Sequence, residues 1–563
     1  MVAFALVAAS HGYAGIIGTT ASVRSNNSLI VDIEVSTHGR VAGLVVAYQA
    51  PGIDRLVSEL VPASVSGLTT ITIGRLRANK AYLYTVEAID KEGRTAGRAE
   101  GTFTTGSLPT VLMRNRYTLT GRTTVPLVIL PHVQAIPGVG SFSGYVALDL
   151  SSSDAPQIVW YQSNAPSTAS GVLQSDAVTG IIQERNGNFL YTDNGSGGPT
   201  AVDDFYRIIT ADGNVLKDSP QNCSVTAPGG WNPPVGWIWG TGNDNHEQLL
   251  PGADGVAGTV LHLGNVVKDP FFEAGLAPKG TRLQMGTTIR RWNPSTGTDE
   301  VVWDPFEFLD PLTERTDNAN SDPGANSNDS VLMRCNGASL PVEGWTHSNS
   351  LQVAPTREIL QSIRHLDTVV AISPRFDRID WRIGRFQSDF IFPDPNDKFY
   401  HQHFVRMLED GHLLLFDNGN GRPSTEGGQY SRALELQLDW RNKTATKVWE
   451  YRHPTYNGTT DPTYKYADKV GSAQRLENGH TLVLFGADVD PATLAVKAPQ
   501  TFTLIEADAA PQARPLAVLD MDLPTNFVVY RALPVETLFG ESPCEPHEEG
   551  VHELVLSCRN KAH

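Results

Sequence analysis

Cysteine is scarce in this chain: Cys223, Cys335, Cys544 and Cys558 are the only four in 563 residues, and no two form a Cys-x-x-Cys pair. A disulfide-dense scaffold is thereby excluded, and a structural zinc site is disfavoured. Cys544 and Cys558 share the tail and leave two readings open, a clip formed in an oxidising compartment or two free thiols. Long apolar runs are missing too, since none approaches the ~20 residues a spanning helix needs. Residues 1–9 (MVAFALVAA) are apolar and small but lack a basic flank, so residues 1–14 read either as a signal remnant or as a first strand. Positive charge is in short supply: 44 Lys and Arg stand against 61 Asp and Glu, a formal net charge of −17. Such a surface repels nucleic acid and anionic membranes. No phosphate loop of the Walker type occurs, which removes the usual cradle for a nucleotide.

What fills the chain instead is short alternating stretches punctuated by turn residues, the pattern of an all-β protein. At 563 residues the length exceeds what one core serves, so two or more domains are expected. Residues 15–105 alternate with β-branched side chains, as in Ser28-Leu29-Ile30-Val31-Asp32-Ile33-Glu34-Val35. This predicts a small β-sandwich of the immunoglobulin or fibronectin III kind, with Tyr82 placed for a tyrosine corner. Leu108-Pro109 reads as a linker, giving an N-terminal sandwich at 1–107, a large domain at 108–540 and a tail at 541–563. Six Asn-x-Ser/Thr sequons, at Asn26, Asn194, Asn222, Asn328, Asn442 and Asn457, are compatible with a secreted chain.

The large domain carries loose repeats. Arg185-Asn186-Gly187-Asn188, Glu409-Asp410-Gly411-His412 and Glu477-Asn478-Gly479-His480 are copies of one hairpin turn, where the Asn-Gly or Asp-Gly pair suits a type I′ turn. Val159-Trp160, Val302-Trp303, Asp380-Trp381 and Val448-Trp449 form a second repeating element that would close a four-stranded sheet. Repeated units of four short strands predict a β-propeller, and the repeat count alone does not choose between six and seven blades. Residues 227–242 and 313–330 then read as long loops on the blades.

Histidine and arginine inside apolar, strand-like runs mark the candidate site, because a buried imidazole or guanidinium demands a hydrogen-bonding or anionic partner. The segments are Trp345-Thr346-His347-Ser348-Asn349, Ser362-Ile363-Arg364-His365, Trp381-Arg382-Ile383-Gly384, Gln402-His403 and Phe416-Asp417-Asn418-Gly419. His401 and His403 would face the same way on a strand, and His365 the way opposite to Arg364. Several histidines beside an arginine favour an anion over a cation, since a guanidinium cannot ligate a metal and repels one. No metal and no cofactor is expected.

These five motifs, in this order, resemble the bacterial and fungal arylsulfotransferases, which take sulfate from an aryl ester rather than from a nucleotide. The resemblance implies a six-bladed propeller. It also implies an aryl-sulfate donor and a phenolic acceptor, ping-pong transfer through a sulfated histidine, and a secreted or periplasmic location. Placed residue by residue, it implies His403 as the nucleophile, Arg364 as the sulfonate-binding arginine, and His347 and His246 as further catalytic histidines. His246 carries the weaker match, because Asn245 stands where the family usually shows another histidine and His262 lies in a comparable strand. Trp345, Asn349 and Asn418 would brace the site and its substrate. Many relatives carry an acidic residue before the tryptophan of the His347 motif, whereas Gly344 stands here. An orienting carboxylate for His347 must therefore come from elsewhere. No cysteine lies between Arg364 and His403, so the small disulfide loop of some relatives has no counterpart. Two other readings use the same residues, a noncatalytic extracellular propeller that binds a protein or glycan and a sulfatase-like hydrolase. A homodimer is a further expectation, and the sequence does not say whether the sandwich pairs the subunits.

Overall fold

The computed structural model describes residues 15–151, 155–163, 180–194, 204–220, 224–225, 240–270, 283–314, 330–335, 338–455, 463–490, 501–524 and 528–543. Residues 1–14, Cys223, Cys544 and Cys558 lie outside this set, as do most of the two predicted long loops. The regular structure described is overwhelmingly antiparallel strand.

Near the N-terminus a three-stranded sheet (Gly15–Val23, Val31–His38, Leu68–Ile73) and a second sheet built on Gly43–Gln49, Ala81–Ile89 and Thr95–Thr104 share one core. Alternation explains it: Val31, Ile33 and Val35 point into that core while Asp32 and Glu34 point out. The Tyr82 hydroxyl accepts the Arg77 N–H at 2.8 Å, a bond back to the backbone upstream of its own strand.

Beyond residue 115 the described residues form six sheets in succession, each built on antiparallel neighbours, the third extended by Ala338–Gly344 lying parallel to Gln284–Asn293. The fourth comprises Ser348–Val353, Ile359–Ile363, Thr368–Ile372 and Ile379–Gly384, and the fifth His403–Met407, Leu413–Asp417, Arg432–Asp439 and Thr444–Tyr451. Gly240–Gln248 of the third sheet and the first strands of the fourth and fifth (Ser348–Val353, His403–Met407) lie one against the next. The run Leu413-Leu414-Leu415-Phe416 is apolar without a break because both faces of its strand are covered. Leu413 and Leu415 pack with Val369, Ala371 and Trp381 of the fourth sheet. Leu414 and Phe416 pack with Val483, Phe485 and Ile505 of the sixth. Each such side chain contributes about 1.5–3 kcal/mol of transfer free energy.

The tryptophan repeat marks the fourth strand of four sheets. In each, one extra residue stands just before the tryptophan, so that Trp160 pairs with Ala147, Trp303 with Ile289, Trp381 with Ala371 and Trp449 with Glu435 across a bulge. The bulge swings the indole toward the neighbouring sheet. Trp160 Nε1 donates to Ala211 O at 2.8 Å and Trp449 Nε1 to Asp508 O at 3.1 Å.

The three hairpin copies adopt one geometry, but not the expected type I′. Only Gly187, Gly411 and Gly479 have positive φ, while Asn186, Asp410 and Asn478 do not. In each turn the glycine N–H returns to the carbonyl three residues earlier, Gly411 to Leu408 O at 3.0 Å for instance. This is a type I turn closed by a left-handed glycine. The Asn or Asp side chain accepts the N–H two residues on, as Asp410 Oδ1 does from His412 at 3.0 Å. That side-chain turn stabilises right-handed geometry at the residue and decides against I′.

Both ends of the large domain return to close it. Leu533–Val535 pairs with Leu127–Ile136 in the first sheet, and Arg116–Gly121 adds an outer strand to the sixth. First-sheet Val128, Leu130 and Leu148 meet sixth-sheet Leu482, Leu484 and Leu504 in one core. Ser542 and Pro543, expected in a tail, pair with Leu56–Val57 of the sandwich, and Phe539 packs where a side chain at Gly74 would stand. Glu506 fastens the same seam: it accepts from the Thr123 hydroxyl at 2.6 Å and from the Thr124 N–H and hydroxyl at 2.6 and 2.7 Å, and faces His480 Nδ1 at 2.6 Å. Burial pushes its carboxyl pKa up, but these bonds together outweigh burial and hold it below the usual value. A depressed carboxylate stabilises the fold above its unfolded-state pKa and loses that contribution as pH falls through the folded one. We expect Glu506→Gln to cost about 2 kcal/mol in urea unfolding at neutral pH, with the gap to the parent protein narrowing in acid.

Candidate active site

Four of the five motif segments converge where the inner strands of the third, fourth and fifth sheets meet, while Trp381-Arg382-Ile383-Gly384 lies on the outer strand of the fourth. Each of the three inner strands interrupts its ladder at the meeting point. Pairing skips between Asn243 and Gln248, between Ser348 and Ser350, and between His403 and Arg406. Four non-glycine residues around the break hold left-handed backbone, His347 (φ 47), Asp367 (φ 47), His401 (φ 53) and Phe404 (φ 50). Each costs of order 1–3 kcal/mol, and such conformations persist where surrounding structure over-determines them.

His403 opens its strand, paired with Phe416, and is buried. Its Nδ1 lies 2.7 Å from Asn418 Oδ1. The amide end of Asn418 is committed, because Nδ2 donates to Ala467 O at 2.8 Å and to Val470 O at 2.9 Å. Two carbonyls can be met only by the NH2 group, so the atom facing His403 is the amide oxygen. His403 Nδ1 therefore carries the proton, and in the neutral ring the lone pair sits on Nε2. Tyr530 meets the ring edge-on at 6.3 Å between centroids.

Arg364 follows the strand Ile359–Ile363 in a short 3-10 turn. It is 9% exposed, donates from Nη2 to Asp468 O at 3.2 Å, and pairs with no carboxylate among the described residues. His347 is half-buried, with its ring 4.6 Å from that of His365. The His365 ring lies 6.0 Å from His401. His401 Nδ1 is 3.0 Å from Asp367 Oδ1, which also accepts the His401 N–H at 2.7 Å. Two expectations are corrected here. His401 precedes the strand in left-handed backbone, so it does not share a face with His403. His365 sits in the 3-10 turn rather than in a strand, and it turns toward His347.

Two of the remaining candidates hydrogen-bond to neighbouring backbone. Asn349 donates to Gln402 O at 2.8 Å, and the Trp345 indole donates to Glu314 O at 2.8 Å. His246 lies in the strand Gly240–Gln248 at the ladder break, and its side chain is outside the described residues. His262, the rival in the adjoining strand, is committed elsewhere: Nε2 lies 3.0 Å from Asp299 Oδ1, and that carboxylate also receives Arg290 at 3.1 Å.

Sequence reasoning missed a charged cluster beside His246 and His403. Glu247 is buried and binds Arg531 at 2.5 Å and Arg406 at 3.0 Å. Both guanidiniums rest on the Phe404 ring, at 4.5 and 3.8 Å from its centroid. Burial, and after it the neighbouring Arg531, lower the pKa of Arg406, while Glu247 works against them. Two cations share one carboxylate, and Arg364 has none among the described residues. A protein of net charge −17 thus places positive charge beside His347, His365 and His403. An arginine inside the apolar run Phe404-Val405-Arg406 was the available signal.

Residues 277–531, which hold His347, Arg364 and His403, match the family model described as arylsulfotransferase (ASST). Among curated proteins, an arylsulfate sulfotransferase AssT of Lelliottia amnigena is 38% identical over 56 residues, 9% of this chain and 9% of that protein. Its namesake from Escherichia coli O6:H1 is 38% identical over 68 residues, 11% and 10% of the two chains. The matched stretches span about a tenth of each relative's length. Among solved structures, a Bacteroides caccae protein of unknown function aligns over 73% of this chain and 100% of its own, with 12% identity and a TM-score of 0.35. A Staphylococcus aureus virginiamycin B lyase aligns over 73% and 99%, with 10% identity and a TM-score of 0.27.

Removing one charge from the buried cluster leaves two guanidiniums facing each other. Glu247→Gln is expected to destabilise the fold by about 3 kcal/mol, read from urea unfolding, whereas the same change at the exposed Glu300 should have little effect.

Proposed function

We propose that this protein is an aryl-sulfate sulfotransferase, moving a sulfuryl group from an aryl ester to a phenol in two steps through His403. The observation that carries this reading is the Asn418 contact, which fixes the proton on His403 Nδ1 and leaves the Nε2 lone pair for attack on sulfur. In the first step an Nε2–S bond forms and the S–O bond to the aryl group breaks. The electron pair leaves on the phenoxide, which takes a proton from His347. In the second step an acceptor phenol gives its proton to His347, its oxygen attacks sulfur, and the Nε2–S bond breaks. Arg364, buried without a carboxylate among the described residues, supplies a forked cation for the sulfonate oxygens. His246 serves as a further donor from the third sheet, and Trp345, Asn349 and Asn418 hold the walls. The residues need no metal or cofactor for these steps.

The same reading includes a six-bladed propeller at 108–540. Its support is the succession of six sheets, closed by strands from both ends. A sandwich of immunoglobulin or fibronectin III type precedes it, supported by the Tyr82 bond. A secreted or periplasmic location and a homodimer complete the proposal.

Donor without acceptor should add one sulfuryl group to the peptide containing His403, seen by mass spectrometry, and a phenol should remove it. His403→Ala should abolish both phenol release and labelling while the thermal midpoint stays near that of the parent. Rapid transfer without label on that peptide would end the two-step scheme. Discharge to water as fast as to phenol would indicate a hydrolase, and no turnover of any aryl sulfate would indicate a binding protein. Arg364→Lys keeps the charge but loses the fork, and is expected to lower turnover about 100-fold.

A further inference from the structure

Gly344 offers no carboxylate to His347, yet a protonated imidazole at a cationic site needs one near by. The fourth and fifth sheets supply it by a longer route. Asp367 is nearly fully buried, at 2% exposure; its Oδ1 accepts the His401 backbone N–H and lies 3.0 Å from His401 Nδ1. The His401 ring is 6.0 Å from that of His365, which is 4.6 Å from that of His347. His365 Nδ1 sits on Gly344 O, a carbonyl that can only accept, so this nitrogen carries a proton and the ring plane is set. The chain therefore runs Asp367, His401, His365, His347, ending at the half-buried ring. Asp367 and His401 both hold left-handed backbone, a cost that this pairing helps to offset. Among the described residues, Arg385 lies 3.5 Å from Asp367, and Arg364 adjoins His365 in the same 3-10 turn.

We propose that Asp367 is a positioning residue that acts through His401 and His365 to orient His347 and keep it able to give a proton to the departing phenol. This rests on His347 being the acid of the proposed transfer. A phenol that is stable as its anion needs little help in leaving, whereas a weakly acidic phenol needs the proton. The inference thus predicts a dependence on leaving group that a merely structural role would not produce.

The test measures single-turnover phenol release from para-nitrophenyl sulfate and from phenyl sulfate in the full chain, its Asp367→Asn and His365→Phe variants, and His347→Ala. Asparagine keeps the Oδ1 acceptor for the His401 N–H, and phenylalanine keeps a ring in the stack without its nitrogens. Both variants should lose about 10- to 100-fold with phenyl sulfate and far less with para-nitrophenyl sulfate, the pattern also expected of His347→Ala. If His347→Ala shows that pattern while Asp367→Asn and His365→Phe lose equally with both donors, or lose nothing, the relay is wrong and the reading of His347 stands. If His347→Ala itself loses equally with both donors, His347 is not the acid and the relay falls with it. A thermal midpoint for each variant separates misfolding from loss of proton transfer, and His365→Phe decides the matter if Asp367→Asn does not fold.

Discussion

Glu247 is a buried carboxylate around which the centre of the described structure is organised. Through Arg406 and Arg531 it joins the inner strand of the third sheet, the inner strand of the fifth and the segment that returns to close the first. The two guanidiniums clasp Phe404, the residue after His403, in a backbone conformation it would not choose alone. Buried charge of this kind adds little net stability compared with apolar packing. What it can provide is a single geometry, because only one arrangement satisfies all the partners. The position of His403 depends on that arrangement from one side and on Asn418 from the other.

The site also departs from regular pairing in a consistent way. Three neighbouring inner strands each break their ladder at the same level, and left-handed residues cluster there. A continuous strand alternates its side chains across the two faces of its sheet. A bulge or a left-handed residue re-aims them. The motif residues therefore reach one place only because local regularity has been given up, with the packed sheets on either side absorbing the cost.

Much of this was legible in the sequence. The all-β class followed from alternation and turn spacing, and the Trp and Gly-containing repeats fall on equivalent strands and turns. The arylsulfotransferase resemblance rested on residues 345–418, inside the region the family model covers. What could not be read depended on partners distant in sequence. Asp410 favours I′ turns by composition, but its own side chain bonds the backbone ahead and selects another turn. His401 and His403 have the spacing of a strand face, yet Asp367, from the fourth sheet, captures the first of them before the strand starts. Glu247, Arg406 and Arg531 are spread over the chain, and no local pattern announces that they meet.

The closure of the large domain by strands from its two ends has a bearing on how the protein comes into being. The first sheet lacks its inner strand until residues 533–535 have been synthesised, and the sixth takes its outer strand from 116–121. During translation the early sheets are held waiting with an open edge, and the ring is completed by contacts of near-maximal sequence separation. Loop closure on that scale is slow. The nascent chain is consequently exposed to strand-edge association for most of its synthesis, and a chaperone that shields open edges would matter more to its yield than any gain in native stability.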